Sequence, residues 1–355
     1  MERPPLAPRQ LPIPGRAARG LGTEALVRTE LPAPGTTLPL VFRAVTPGVD
    51  ATAWAGANRE QVQAAIDRHG GVLLRGFGVG GAEELERFTS AVSGGALPYR
   101  ERSSPRTQVA GRVYTSTDHP PDQPIFPHNE QSYNLTFPLK ILFLCVTPAE
   151  EGGATPVADV REVYRLLDPE LRRPFEEKGY MYVRNFGTGL GLSWRDAFQT
   201  DDPVEVEAYC RENRIDFEWR GPERLRTRQV RPAAALHPRT GEPVWFNHAT
   251  FFHASTLDPR TRDVLLAALP EDELPNHTFY GDGSPIPPEV TDALRDAYAR
   301  ATVRFGWEAG DLLVLDNMLA AHARDPFRGP RRVLTAMADP CHWDGVAPVA
   351  SPARA

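Results

Sequence analysis

The sequence predicts a mainly β fold, a sandwich or barrel with helices packed against its outside. The chain has 355 residues, 41% of them hydrophobic and 24% charged. That is enough apolar material for a sizeable core, and β sandwiches and barrels with insertions reach this length. Helical spacing is strongest early in the chain, whereas strand signals run through its middle and end. Helices early and strands later suggest a β-sandwich or barrel core with the helices packed outside it.

Residues 1–36 are rich in Pro, Arg and Gly and predict an extended or poorly ordered arm. Residues 37–345 then form one domain with helical insertions, and 346–355 a loop-like tail. Residues 58–69 have helical spacing, with Val62, Ala65 and Ile66 apolar. Residues 71–77 read as a short buried strand closed by Gly, and 82–93 as a second helix. Residues 160–178 read as a third helix, with Asp159 at its N-cap and Val163, Leu166 and Leu167 on one face. Strands are expected at 140–147, 181–185, 243–247, 311–316 and 332–338. Each is short, β-branched or aromatic, and bounded by Gly, Pro, Asn or Asp. Residues 259–269 and 287–302 complete the helical set.

Charge and cysteine content narrow the function classes. The net charge is -6 and the pI about 5.9. A nucleic-acid binder needs a basic face, so no nucleic-acid partner is expected. Cys145, Cys210 and Cys341 match neither a zinc motif nor a disulfide framework, which favours reduced thiols. Cys145 lies in an apolar run and is expected to be buried and inert. The first residues lack the apolar stretch of a signal peptide, and no segment reaches the roughly 18 apolar residues that span a bilayer. A cytoplasmic protein with no membrane partner is the expectation.

Pro127-His128-Asn129-Glu130 places a His and a Glu two residues apart. On an extended strand such positions share a face, so an imidazole and a carboxylate could grip one ion together. His322 is the candidate third ligand. Two His and one carboxylate on one octahedral face leave three positions open, which suits non-haem iron(II). His-X-Glu alone is common by chance; the late His and the Arg331-Arg332 pair behind it strengthen the reading. Strand alternation lets only one of that pair face the interior.

These residues resemble the taurine dioxygenase and clavaminate synthase-like family of iron(II)/2-oxoglutarate oxygenases. Within it the chain is most like the branch that includes the aspartyl hydroxylase of syringomycin biosynthesis. The matching stretches are 114–117, His128-Asn-Glu-Gln-Ser-Tyr133, 152–159, Trp245-Phe-Asn-His248 and 310–337, in family order. The resemblance implies a double-stranded β-helix, or jelly roll, with flanking helices. It implies His128, Glu130 and His322 as ligands of Fe(II), and Thr155 and Arg332 as the residues that bind the distal carboxylate of 2-oxoglutarate. Molecular oxygen is the remaining co-substrate. Taurine enzymes carry an Arg four residues after the position matched to Arg332; here it is Ala336, which argues against a sulfonate substrate. Related halogenases replace the carboxylate ligand with a small residue, so Glu130 points to oxygen insertion.

The branch acts mainly on amino acids, free or tethered to a carrier protein. The resemblance therefore implies hydroxylation of an unactivated C–H bond in such a substrate, in specialised metabolism. Arg102, Tyr133, Asn134, Trp194, Asn247 and His248 are the candidate substrate contacts, with Arg106 an alternative to Arg102 for a carboxylate. The Gly-rich segment 187–192 is a candidate lid. Two competing readings stand beside this one. The same cofactors could drive desaturation, epoxidation or cyclisation. Alternatively, the chain could be a non-catalytic jelly-roll binding protein, which the intact ligand set argues against.

Overall fold

The computed structural model describes residues 26–97, 101, 106–117 and 119–349. At its centre is an eight-stranded sheet in the order Val27–Glu30, Leu40–Ala44, Gly71–Arg75, Leu312–Asp316, Thr136–Thr147, Arg332–His342, Val113–Thr115, Gln108–Ala110. The pair Leu40–Ala44 and Gly71–Arg75 is parallel and the others are antiparallel. A parallel pair needs a crossover, supplied here by the helices Ala51–Ala57 and Arg59–His69.

Side chains alternate between the two faces of this sheet. On Arg332–His342, Leu334, Ala336 and Ala338 face a core shared with Trp54, Ile66 and Phe88 of the early helices. Val333 and Met337 face the opposite way, into a core with Ile141, Phe143 and Leu313. A second sheet, Thr302–Val303, Val157–Asp159, Ala320–Arg324 and Ile125–His128, closes over that inner core through Val157 and Ala320. Two sheets around one apolar filling, with helices outside, make the jelly roll. A third sheet of Asp216–Trp219, Leu225–Arg231, Tyr180–Phe186 and Asn276–Tyr280 belongs to the inserted region.

Several boundaries differ from expectation for local reasons. Residues 160–178 form two helices, Val160–Leu166 and Pro169–Lys178. Pro169 disfavours helical backbone at the residue before it, and Asp168 accepts from the Glu170 N–H to start the new helix. The strand expected at 243–247 shrinks to Pro243–Val244, and Trp245 and Phe246 are buried in irregular backbone. Part of the N-terminal arm, Val27–Glu30, is an edge strand of the main sheet. Part of the tail is docked too, since Pro348 bridges to Ala235. The three cysteines are unpaired; burial raises Cys145 to about 12, which leaves it an inert thiol. Among the described residues no helix is long and apolar enough to cross a membrane.

Candidate metal centre and co-substrate cradle

The second sheet brings the two histidines together. Ile125–His128 runs antiparallel to Ala320–Arg324, with His128 directly opposite His322 and the ring centroids 4.3 Å apart. The strand ends at His128, so Glu130 is not placed by strand alternation as expected. It lies in the following turn, and a buried Asn317 puts it there. The Glu130 N–H donates to Asn317 Oδ1 at 2.7 Å, and Asn317 Nδ2 donates to the Glu130 carbonyl at 2.8 Å. Asn129 Nδ2 in turn donates to the Asn317 carbonyl at 2.6 Å. Asp316 shapes the turn that carries Asn317 by accepting from the N–H groups of Met318 and Leu319. Nothing in the local sequence marks Asn317 for this role, because its partners are remote in the chain.

One donor atom from each of His128, Glu130 and His322 lies within 4.8 Å of the others. His322 Nε2 is 3.9 Å from Glu130 Oε2. His128 Nδ1 is 2.9 Å from the Phe126 carbonyl, which fixes the ring and leaves Nε2 as the outward ligand atom. His322 Nδ1 is buried with no hydrogen-bond partner among the described residues. Desolvation lowers the pKa of His128, outweighing the pull of Glu130. It holds His322 well below its ordinary value, helped by His128, Arg106 and His248. Neutral imidazole is the form that binds metal. Two neutral His and a carboxylate in this arrangement fit iron(II) with open positions for other ligands. Arg106, itself buried, donates from NH2 to Glu130 Oε2 at 2.6 Å, which places a guanidinium at the centre.

A second cluster lies at the strand Arg332–His342. Here the expectation for Arg332 is overturned. Arg332 is exposed, and its neighbour Arg331 turns inward. Arg331 Nε donates to the Gly153 carbonyl at 3.0 Å, and NH2 to Thr155 Oγ1 at 3.3 Å. The physical reason is the alternation itself: Val333 and Met337 are in the inner core, so Arg331 shares their side and Arg332 shares that of Leu334. A register shift in pairing with Thr136–Thr147 falls between Arg332 and Val333 and closes the regular ladder there. Moving the match by one residue carries the taurine-type comparison from Ala336 to Thr335. Thr335 is also no cation, and its hydroxyl donates to the Leu142 carbonyl.

Burial depresses the Arg331 pKa to about 10, with Arg324 adding to the effect. A guanidinium so desolvated is poised for an anionic partner. Gly153 makes the space. Its φ is +68°, and an added Cβ would lie 2.8 Å from Ala149 Cβ and 3.1 Å from Arg331 Cδ. Gly153→Ala should therefore lower stability by about 1–2 kcal/mol from the left-handed backbone alone. It should also displace Arg331 and weaken 2-oxoglutarate binding. Urea melts and calorimetric titration check both effects; full stability with full affinity would refute the packing argument.

The candidate substrate residues divide. His248 adjoins the centre, with its ring 5.8 Å from that of His128 and its Nδ1 2.6 Å from Ser132 Oγ. Burial keeps its pKa well below the ordinary value. Phe251, missed from the sequence, packs 4.5 Å from the His128 ring. Tyr133 is fully buried behind His248, its hydroxyl donating to the Glu101 carbonyl at 3.0 Å. Asn134 is buried, and its Oδ1 has no hydrogen-bond partner among the described residues. Asn247 is committed to backbone: it donates to the Ala233 carbonyl and accepts from the Ala249 N–H. Trp194 is a core aromatic, packed in a satellite cluster with Phe186, Val206 and Cys210 and edge-on to Trp219. Arg102 lies outside the described residues. The segment 187–192 borders a cavity of about 290 Å³ with Arg184 and Phe186 on its wall.

The chain is similar to several known proteins. Residues 33–337 match the model of the family described as Taurine catabolism dioxygenase TauD, TfdA family. The chain is 42% identical over 277 residues to the dapdiamide synthesis protein DdaC of Enterobacter agglomerans, covering 78% of this chain and 84% of that one. It is 30% identical over 317 residues to a clavaminate synthase-like protein of Arabidopsis thaliana, covering 86% and 90%. PvcB of Pseudomonas aeruginosa has the same fold, with TM-score 0.53 at 18% identity over 91% of this chain and 94% of PvcB.

Proposed function

Because the chain belongs to the TauD/TfdA dioxygenase family and so uses iron(II), 2-oxoglutarate and oxygen, we propose that it hydroxylates an unactivated C–H bond of an amino-acid-derived substrate. His128, Glu130 and His322 hold the iron in this reading, and Thr155 and Arg331 hold the distal carboxylate of 2-oxoglutarate. When bound, iron and 2-oxoglutarate supply the oxidising chemistry, consuming oxygen and releasing succinate and carbon dioxide. The protein's part is to position and to exclude water. Asn317 holds Glu130 beside the histidines, and Phe251 and His248 pack against the His128 ring.

The observation that carries hydroxylation is the intact carboxylate, Glu130, within reach of both histidines. It occupies the position that halogenating relatives leave open. The match to a dapdiamide synthesis protein supports a role in specialised metabolism. The unpaired cysteines suit the cytoplasm. Arg106 supports a substrate that carries a free carboxylate, because its guanidinium, paired with Glu130 Oε2, sets a positive charge at the metal centre.

The test is succinate release by the iron-loaded enzyme, screened over free amino acids and carrier-tethered aminoacyl groups, with mass spectrometry of the product. Hydroxylation adds one oxygen; desaturation removes two hydrogens. Succinate release with no added oxygen in any product would overturn hydroxylation. With a carboxylate substrate in hand, Arg106→Gln should raise KM at least about tenfold, as expected for loss of a charge-assisted bond. An unchanged KM would place the carboxylate elsewhere.

A further inference from the structure

We infer that Trp307 is a positioning residue for 2-oxoglutarate and acts through the hydroxyl of Thr155. The inference rests on the reading that Thr155 and Arg331 receive the distal carboxylate. Trp307 lies in the segment before the strand Leu312–Asp316, packed edge-on to Phe305 of the inner core with ring centroids 5.2 Å apart. Its Nε1 is 3.0 Å from Thr155 Oγ1. An indole N–H can only donate, so the direction of this bond is unambiguous. Arg331 NH2, 3.3 Å from the same oxygen, can also only donate.

A threonine hydroxyl has two acceptor lone pairs and one proton. Trp307 and Arg331 occupy both lone pairs. The hydroxyl therefore has one role left, which is to donate. Thr155 is 3% exposed, so water has little access to reset this orientation. A carboxylate only accepts, so it meets the Thr155 proton beside a guanidinium already held by the Gly153 carbonyl and the Thr155 hydroxyl. The rotor of Thr155 is set before the ligand arrives, and its ordering does not have to be taken from binding energy. Gly153 contributes to the same preorganisation, since its carbonyl accepts from Arg331 Nε at 3.0 Å and fixes the plane of the guanidinium.

A packing role for Trp307 and an orienting role make different predictions in a double-mutant cycle. The measurement is anaerobic calorimetric titration of the Mn(II)-loaded protein with 2-oxoglutarate, beside thermal melts of every variant. Trp307→Phe should weaken binding about 3- to 10-fold, the range for one net hydrogen bond to a ligand. Thr155→Val should weaken it at least as much. In the Thr155→Val background, Trp307→Phe should add nothing, because the group it orients is gone. Thr155→Ser, which keeps the hydroxyl, should keep the dependence on Trp307. A tryptophan analogue with sulfur in place of the ring N–H retains the shape and should reproduce Trp307→Phe; it also serves if Trp307→Phe fails to fold. Wild-type affinity for the analogue-bearing protein, or an undiminished effect in the Thr155→Val background, would overturn the role of Trp307. A wild-type protein that does not bind 2-oxoglutarate would overturn the cradle itself, and the two failures are thus distinct.

Discussion

His322→Ala should leave a folded protein that neither retains iron(II) nor releases succinate. His322 is one of two imidazoles facing each other across the pair Ile125–His128 and Ala320–Arg324. Removing it leaves one His and one carboxylate, too few to fix an iron with a defined open face. The loss should exceed the roughly 10- to 100-fold that follows removal of a mere outer-shell partner. The fold should persist, because the strand also holds its place through Ala320 and Ala321 in the adjoining cores. The check is anaerobic addition of iron(II) and 2-oxoglutarate, which in the wild type should give a weak visible charge-transfer band. Retention of that band at wild-type strength in His322→Ala would remove His322 from the ligand set. His128→Ala should behave alike, whereas Asn317→Ala should weaken metal binding less, by loosening the turn that carries Glu130.

Arg331→Gln should cost far more 2-oxoglutarate affinity than Arg332→Gln. Each charge-assisted bond contributes about 1.5–3 kcal/mol, and each 1.4 kcal/mol is tenfold in affinity. Loss of a two-pronged guanidinium–carboxylate contact therefore predicts a rise in Kd of roughly 100-fold. The exposed Arg332 should tolerate Gln within about twofold, as surface substitutions do. Calorimetric titration of both variants decides it. Equal losses, or the larger loss at Arg332, would reverse the inward assignment of Arg331. The contrast is demanding because the residues are adjacent and identical in type.

The fold was legible where the local rules are strong. The main-sheet strands around 140–147, 311–316 and 332–338 are apolar runs between breakers, and they appear in place. The helices Arg59–His69, Ala82–Val92 and Pro288–Ala301 follow from spacing and from their terminal residues. The strand Leu225–Arg231 was not legible. Its sequence, Leu-Arg-Thr-Arg-Gln-Val-Arg, looks like solvated surface, yet Arg226, Gln229 and Arg231 are buried. The two arginines are held by remote partners: Arg226 by Asn185 and Glu273, and Arg231 by the Tyr133 and Asn213 carbonyls. Buried polar side chains are tolerated only with such partners, and a local window cannot show them. Trp194 illustrates the converse, a large aromatic beside a Gly-rich segment whose place is a satellite core.

Sequence by itself determined the chemical types: two imidazoles, a carboxylate, a Thr after a Gly pair and an Arg pair, in an order that resembles one family. Residue type and spacing are properties of the chain, so they need no coordinates. Tertiary structure decided which of these face one another. His128 meets His322 because two strands distant in sequence share a ladder. Glu130 joins them through Asn317, not through strand alternation. Arg331 replaces Arg332 because a period of two fixes relative sides but not which side is the interior. That choice belongs to the cores on each face of the sheet, and no local reading of the strand contains it.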